Sequence, residues 1–227
     1  MTLRHTLNLE GLTLQLDSLT NFDELFDELL AKGEDSEEVR DERIPYWADL
    51  WPSAVALSRY LVQSGIVTPE TTVTEIGCGL GLPGIVAGML GAKEVLFTDY
   101  LEEALGYARH NWELNCQGKA RFERLDWREP DPAMAADLVL ASDIAYETRF
   151  FPFLPPAFKT LCKPGGRILF SEPGREVARI FLDTLPEMGF QVNKTIIKGE
   201  LNKLPYAVSI YDLTPSLFTL HPSPTKP

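Results

Sequence analysis

The sequence has few cysteines and no long apolar run. Its 227 residues include three cysteines, Cys78, Cys116 and Cys162, which lie far apart. No pair of them has metal-ligand spacing, and an odd number does not indicate a disulfide framework. We therefore expect a protein without a metal site in a reducing cytoplasm. No apolar stretch approaches the roughly 18 residues that span a membrane, so we expect no membrane partner.

Basic residues are scarce relative to acidic ones. The chain has 21 Lys and Arg against 33 Asp and Glu, a net charge of −12. Neutralising the phosphates of a nucleic acid requires a basic surface. The charge balance therefore argues against a nucleic-acid partner. The apolar fraction of 44% is ordinary for a globular protein, and the length suffices for one large α/β domain.

The most informative segment is residues 73–84, with the sequence VTEIGCGLGLPG. An apolar stretch enters a glycine-rich turn, a helix is predicted to follow, and the next predicted strand ends at Asp99. Glycines let the backbone approach a ligand closely, and an acid at the next strand end can bind ribose hydroxyls. This pattern predicts a site for an adenine nucleoside.

The glycines of this turn fit two motifs that imply different cofactors. The G-x-G-x-x-G spacing of NAD sites is met by Gly79, Gly81 and Gly84. A G-x-G-x-G spacing is met by Gly77, Gly79 and Gly81. We favour the second, because the apolar strand ends near Ile76 and makes Gly77 the first glycine. A carboxylate at Glu75 also suits a cationic amino-acid group better than a pyrophosphate.

Alternating strand and helix patterns predict an α/β fold. Strands are predicted at residues 71–76, 94–99, 121–124, 138–141, 167–171, 191–197 and 206–213, and helices at 54–61, 82–90, 102–115, 149–162 and 176–188. This alternation predicts a Rossmann-like, doubly wound, seven-stranded sheet, mostly parallel, with helices on both faces. The last two strands are too close in sequence for a parallel crossover, so the last strand should be antiparallel.

The two ends of the chain differ from this core. Residues 1–44 are predicted to form a hairpin at residues 7–16, an amphipathic helix from residue 22 and a mobile acidic loop at residues 33–42. The loop is either a solvated segment or a flap over the site. Residues 214–227 are rich in proline and are predicted to form a disordered tail.

Together these features resemble the seven-strand, class I, S-adenosylmethionine-dependent methyltransferases. Residues 46–53 (YWADLWPS), 75–84 (EIGCGLGLPG), 125–127 (LDW) and 141–147 (ASDIAYE) are similar to the methyltransferase-16 family. That family includes many protein lysine methyltransferases. The resemblance covers residues 45–213. It implies S-adenosylmethionine as the cofactor and, as the partner, a protein with an accessible lysine.

Predicted strand ends locate the site residues, because an open α/β sheet binds its ligand at its carboxyl edge. We expect Asp99 to accept hydrogen bonds from the ribose hydroxyls. The resemblance implies that Asp126 and Trp127 contact the adenine and that Trp51 lines the pocket. The full predicted cofactor set is Trp51, Glu75, Gly77, Cys78, Gly79, Gly81, Asp99, Tyr100, Asp126, Trp127 and Ser142.

Residues 143–147 form the expected catalytic segment. Methyl transfer needs a neutral amine aligned with the methyl carbon of a sulfonium. Free lysine has a pKa of about 10.4, and burial beside a cation favours its deprotonated form. Asp143 and Tyr146 are expected to aim the nitrogen by hydrogen bonding, and Glu147 to attract a cationic substrate.

Other functions remain as alternatives. A protein of the same fold can methylate a small-molecule amine, and a binding module can hold the cofactor or a partner without turnover. An NAD-dependent oxidoreductase would follow from the other glycine spacing. A hydrolase triad is not predicted, because Ser53, Ser142 and Ser171 have no recognisable histidine partner.

Overall fold

A hairpin opens the chain. The computed structural model describes residues 2–40 and 43–216. Strands β1 (Thr2–Leu9) and β2 (Leu12–Leu19) pair antiparallel. Their turn lies at Glu10 and Gly11, with φ values of 54° and 92°, as in the two-residue turns that match the twist of paired strands. The predicted hairpin is confirmed, with longer strands than expected.

Two helices follow the hairpin. Helix α1 (Phe22–Ala31) confirms the predicted amphipathic helix. Helix α2 (Glu37–Arg40) lies inside the segment predicted to be a loop, so that prediction is wrong for these residues. The Nζ of Lys32 donates to Oε1 of Glu38 at 2.9 Å, which ties the end of α1 to α2. Residues 41 and 42 of the predicted loop lie outside the described residues.

A seven-stranded sheet forms the centre of the protein. Its strands are β3 (Thr72–Ile76), β4 (Glu94–Asp99), β5 (Ala120–Arg124), β6 (Ala136–Ser142), β7 (Cys162–Glu172), β8 (Phe190–Leu201) and β9 (Leu204–Pro215). Their order is β5-β4-β3-β6-β7-β9-β8. Pairs from β5 to β7 are parallel, and β9 runs antiparallel to both β7 and β8. The mostly parallel sheet with an antiparallel last strand is therefore confirmed.

Helices cover both faces of the sheet, as predicted. They are α3 (Pro52–Ser64), α4 (Leu82–Met89), α5 (Glu102–Asn115), α6 (Leu154–Leu161) and α7 (Glu176–Thr184). One core cluster joins α3, α4 and α5 to the sheet around Leu57, Ile85 and Phe97. The other joins α6 and α7 around Phe158 and Phe181. Within the described ranges, no helix is both long and apolar enough to cross a membrane.

Prolines explain where the predicted boundaries were wrong. The helix predicted from residue 149 begins at Leu154, because prolines at 152, 155 and 156 lack the backbone N–H that a helix interior needs and are tolerated only in its first turn. Helix α7 ends at Thr184, two residues before Pro186. At the other end of the chain, Thr214 and Pro215, assigned to the tail, belong to β9. Ser216 follows β9, and its N–H donates to the backbone oxygen of Gly189 at 2.8 Å; residues 217–227 of the predicted tail lie outside the described residues.

Asn111 connects the hairpin to the glycine-rich turn. Its Oδ1 accepts the backbone N–H of Asp17 at 2.8 Å, and its Nδ2 donates to the backbone oxygens of Asp17 and Leu80 at 3.0 and 3.1 Å. The Asp17 carboxylate is buried between Arg4 and His110. The hydrogen bond from Arg4 lowers the pKa of Asp17. Polar groups of distant segments thus fix β2 against α5.

Gly84 is expected to be intolerant of a side chain. A Cβ there would lie 2.4 Å from Cε1 of Phe97 and 2.6 Å from Oε2 of Glu75. Gly84→Ala should therefore lower the free energy of unfolding by about 1–3 kcal/mol. Gly106→Ala in α5 is the control, because no atom lies within 4 Å of its added Cβ. It should raise stability by about 0.5–1 kcal/mol. Urea unfolding of both variants measures this, and equal shifts would contradict it.

Candidate functional site

One cavity lies at the carboxyl edge of the sheet, where the sequence predicted a site. Its volume of about 460 Å³ falls within the range of small-ligand pockets. Every predicted site residue lines it. These are Trp51, Glu75, Gly77, Cys78, Gly79, Gly81, Asp99, Tyr100, Asp126, Trp127, Ser142, Asp143, Tyr146 and Glu147. In the described part of the chain, no group of three His, Cys, Asp or Glu side chains could hold a metal ion.

The glycine-rich turn has left-handed backbone at three positions. Gly77, Gly79 and Gly81 have φ values of 59°, 51° and 81°, a conformation that favours glycine. A Cβ on Gly77 would lie 2.9 Å from Cγ2 of Ile144. Gly84, by contrast, lies inside α4. The geometry therefore supports the G-x-G-x-G motif. Position 84 requires glycine for a different reason, because it packs closely against Phe97 of β4.

Asp99 is held at the end of β4 by the backbone. Its Oδ2 accepts the N–H of Gly79 and its Oδ1 accepts the N–H of Leu101, both at 3.0 Å. Burial raises its pKa. A carboxylate has about four acceptor positions, so both oxygens retain capacity for a ligand. The arrangement orients the carboxylate into the cavity before any ligand binds.

Glu75 has a structural role beside its predicted contact with a ligand. It is 1% exposed, and its Oε2 accepts the N–H of Gly84 at 2.9 Å in the first turn of α4. Desolvation raises its pKa to about 8. Cys78, also buried, has its pKa raised well above its ordinary value. Its thiol therefore stays protonated and serves as a small apolar wall of the cavity.

Stability of the unliganded protein should fall with rising pH because of Glu75. Its pKa of about 8 in the folded protein exceeds the value of 4.5 for a free carboxyl. Between these pH values the folded state therefore binds more protons than the unfolded state. The contribution of Glu75 to the free energy of unfolding accordingly decreases as pH rises. Glu75→Gln keeps an acceptor for the N–H of Gly84 but does not titrate, so the variant should lose less stability than the wild type as pH rises. Thermal unfolding at pH 6 and pH 8.5 measures it.

Glu113→Gln is the matched control for that pH experiment. Glu113 is exposed on α5. Its variant should show the same fall in unfolding midpoint between the two pH values as the wild type. An unchanged pH dependence in Glu75→Gln would contradict the assignment of the effect to Glu75.

The side of the cavity predicted to hold adenine contains several arginines. The Asp126 carboxylate accepts hydrogen bonds from Nε of Arg128 at 2.8 and 2.9 Å. The guanidinium carbons of Arg43, Arg124 and Arg128 lie 4.9, 4.7 and 5.5 Å from the centre of the Tyr100 ring. Two residues of the predicted cofactor set, Asp126 and Tyr100, therefore already have cationic partners. These contacts were not predicted, because they join Arg43 to Arg124 and Arg128, which lie about 80 residues further along the chain.

The predicted catalytic segment has partners that the sequence did not indicate. Asp143 has a φ of 55° and accepts two hydrogen bonds from Arg175, at 3.0 and 3.1 Å. Glu147 forms an ion pair with Arg149 at 2.5 Å. Burial raises the pKa of Tyr146, so its hydroxyl remains neutral. The structure thus brings Asp143, Tyr146 and Glu147 together, with both carboxylates paired to arginine.

Residues 43–51 form a wall of the cavity that the sequence analysis only partly predicted. Tyr46 packs edge to face on Trp51 and on Tyr146, with ring centres 6.1 and 5.6 Å apart. The indole N–H of Trp51 donates to the backbone oxygen of Tyr46 at 2.7 Å. Of the two interpretations of the acidic loop, the exposed side chains of Glu34 and Asp35 favour the solvated segment. None of the described side chains of that loop, at residues 33–36 and 38–40, lines the cavity, whereas Arg43, Ile44 and Tyr46, which follow the loop, do.

Known proteins resemble this chain in sequence and in fold. A family model described as lysine methyltransferase matches residues 40–187. The chain is 34% identical over 135 residues to the electron transfer flavoprotein beta subunit lysine methyltransferase of Xenopus laevis, covering 58% of this chain and 53% of that protein. It is 34% identical over 158 residues to the protein-lysine methyltransferase METTL21E of Mus musculus, covering 63% of each.

The chain thus spans about half to two thirds of the length of these two relatives. Among solved structures, the magnesium protoporphyrin IX methyltransferase of Synechocystis PCC 6803 with bound SAM matches with a TM-score of 0.55 and 17% identity. That match covers 85% of this chain and 91% of the other. At this level of identity, the likeness concerns the fold.

Proposed function

Because the chain belongs to the lysine methyltransferase family, we propose that it transfers a methyl group from S-adenosylmethionine to a lysine side chain of a protein. One observation carries the proposal. The glycine turn, Asp99 and the segment from Asp143 to Tyr146 line a single cavity at the edge of the sheet. This common lining supports a nucleoside site beside polar groups able to orient an amine.

The cavity fits the proposed cofactor. Asp99 retains acceptor positions for two ribose hydroxyls, and the left-handed turn at Gly77 and Gly79 presents backbone rather than side chains. Trp51, Trp127 and Ser142 supply further walls. When bound, S-adenosylmethionine supplies an electrophilic methyl group on a sulfonium. The buried carboxyl of Glu75, 2.9 Å from the N–H of Gly84, would stabilise a positive charge nearby once ionised.

The chain's own residues position the amine. Oδ1 of Asp143 and the Tyr146 hydroxyl would each accept an N–H bond from the neutral lysine amine, which leaves the nitrogen lone pair directed at the methyl carbon. A nitrogen–carbon bond then forms as the carbon–sulfur bond breaks, and the bonding pair remains on sulfur. The surplus proton leaves the nitrogen to water. Catalysis rests on positioning rather than on a strong base.

Several observations support a protein acceptor over a small-molecule amine. Tyr46, at the wall of the cavity, is 37% exposed, so the site is not sealed from a large partner. The net charge of −12 suits a lysine-bearing surface and disfavours a nucleic acid. The names of both relatives described above are those of lysine methyltransferases that act on proteins. We place the reaction in the cytoplasm because the three cysteines are free thiols.

Labelling of a proteome tests the proposal. The purified protein is incubated with methyl-labelled S-adenosylmethionine and a dialysed cytosolic extract, and labelled amino acids are identified after complete hydrolysis. We expect label in methyllysine. Arg179→Gln, on the exposed surface of α7, is the matched control and should label as the wild type does. Label found only in small amines of an undialysed extract would favour the metabolite alternative. Absence of any label would favour a binding module.

A further inference from the structure

A single ion pair joins the ends of two neighbouring strands inside the cavity. The guanidinium of Arg175 donates from Nε to Oδ1 of Asp143 at 3.0 Å and from Nη2 to Oδ2 at 3.1 Å. The Ser53 hydroxyl donates to the same Oδ2 at 3.3 Å. The Asp143 side chain is 8% exposed, and that of Arg175 is 37% exposed. This two-point contact fixes the plane of the carboxylate.

Arg175 is itself held in place by the end of β7. The buried Glu172 carboxylate accepts the backbone N–H groups of Gly174 and Arg175, at 2.7 and 2.5 Å. The N–H of Asp143 donates to the backbone oxygen of Ser171 at 2.9 Å. The strand ends that carry the pair are thus joined by backbone contacts as well. The backbone that carries Arg175 is therefore constrained, which limits the positions that its guanidinium can take.

The hydrogen bonds leave one favourable acceptor on Asp143. Each carboxylate oxygen has about two acceptor positions. Oδ2 already accepts from Arg175 and Ser53, whereas Oδ1 accepts only from Arg175. One position on Oδ1 remains for a substrate N–H. The pairing thus determines which oxygen can aim the amine.

Charge gives the pairing a second consequence. A lone carboxylate beside a lysine would favour the ammonium form, which has no lone pair to attack with. Paired with Arg175, Asp143 remains an acceptor while the pair as a whole is neutral. The other charged groups of this region are also balanced or engaged, because Glu147 pairs with Arg149 and Glu172 binds backbone N–H groups. Tyr46 and Tyr146, the facing phenols, add no charge when protonated.

We propose that Arg175 is a positioning residue for methyl transfer, which orients Asp143 and cancels its charge so that the lysine amine binds in its neutral form. The inference rests on the proposed lysine methylation. It assigns to Arg175 an effect on turnover rather than on cofactor binding. It also predicts that the effect depends on pH.

The test measures the rate of methyl transfer to lysine in the labelled extract at pH 7.5 and pH 9.5. Arg175→Gln should lower the rate about a hundredfold at pH 7.5 and about tenfold at pH 9.5, because alkali removes the lysine proton that the unpaired carboxylate retains. The KM for S-adenosylmethionine should stay within about threefold of the wild-type value. Arg175→Lys keeps the charge but not the two-point contact, so its defect should be smaller and equal at both pH values.

Two further variants separate positioning from general structural damage. Arg179→Gln should match the wild type at both pH values. In an Asp143→Asn background, Arg175→Gln should lower the rate by no more than about threefold, because coupled residues are not additive. A defect of Arg175→Gln that is the same at both pH values, or that is undiminished in that background, would overturn the inference. Wild-type protein that labels no lysine would contradict the proposed function, and the inference with it.

Discussion

Asp99→Ala is expected to weaken the binding of S-adenosylhomocysteine by about two to four orders of magnitude, measured by titration calorimetry. The carboxylate would form charge-assisted hydrogen bonds with two ribose hydroxyls, each contributing about 1.5–3 kcal/mol. Its removal also leaves the N–H groups of Gly79 and Leu101 without their acceptor. The loss of affinity therefore combines lost contacts with a less ordered turn.

Two comparisons make this result interpretable. Asp99→Asn keeps the size and one acceptor oxygen but not the charge, so its affinity should lie between those of wild type and Asp99→Ala. Asp183→Ala, on the exposed face of α7, should bind as the wild type does. Equal affinity of Asp99→Ala and wild type would place the ribose elsewhere. Tight binding of NAD by the wild type would instead favour the dinucleotide spacing of the glycines.

Asp143→Asn is expected to lower the rate of methyl transfer by about a hundredfold or more, as misplacement of a reacting group commonly does. Asparagine tolerates the left-handed backbone at this position, where φ is 55°, so the fold should persist. An amide that presents its NH₂ to Arg175 cannot form both hydrogen bonds. The amine acceptor is then no longer held in place.

Binding of S-adenosylhomocysteine distinguishes this effect from loss of the cofactor site. The affinity of Asp143→Asn should stay within about threefold of the wild-type value, because the proposed role concerns only the acceptor amine. Ser53→Ala removes one weaker hydrogen bond of 3.3 Å and should lower the rate by less than about tenfold. Full turnover in Asp143→Asn would contradict a catalytic role for this segment and favour a different acceptor site.

Local sequence patterns predicted most of the fold. Alternating helix and strand periodicity identified each strand of the central sheet, since burial on both faces leaves near-continuous apolar runs. The short link between β8 and β9 determined that the last strand is antiparallel, because a parallel crossover needs more chain. The predicted helix bounds were wrong where prolines interrupt the helical periodicity, as at residues 152–156 around the start of α6. Helix α2, within a charge-rich segment, was missed because it has little apolar patterning to reveal it.

The sequence by itself determined which residues converge on the site. Glu75, Asp99, Asp126 and Asp143 lie at or just after the ends of successive parallel strands, and the carboxyl ends of parallel strands meet at one edge of the sheet. Only the tertiary structure decided how those groups are paired. Arg175 lies 32 residues after Asp143 and Asn111 lies 94 residues after Asp17, and no local pattern encodes such contacts. They depend on side-chain directions that are fixed only once strands and helices have packed.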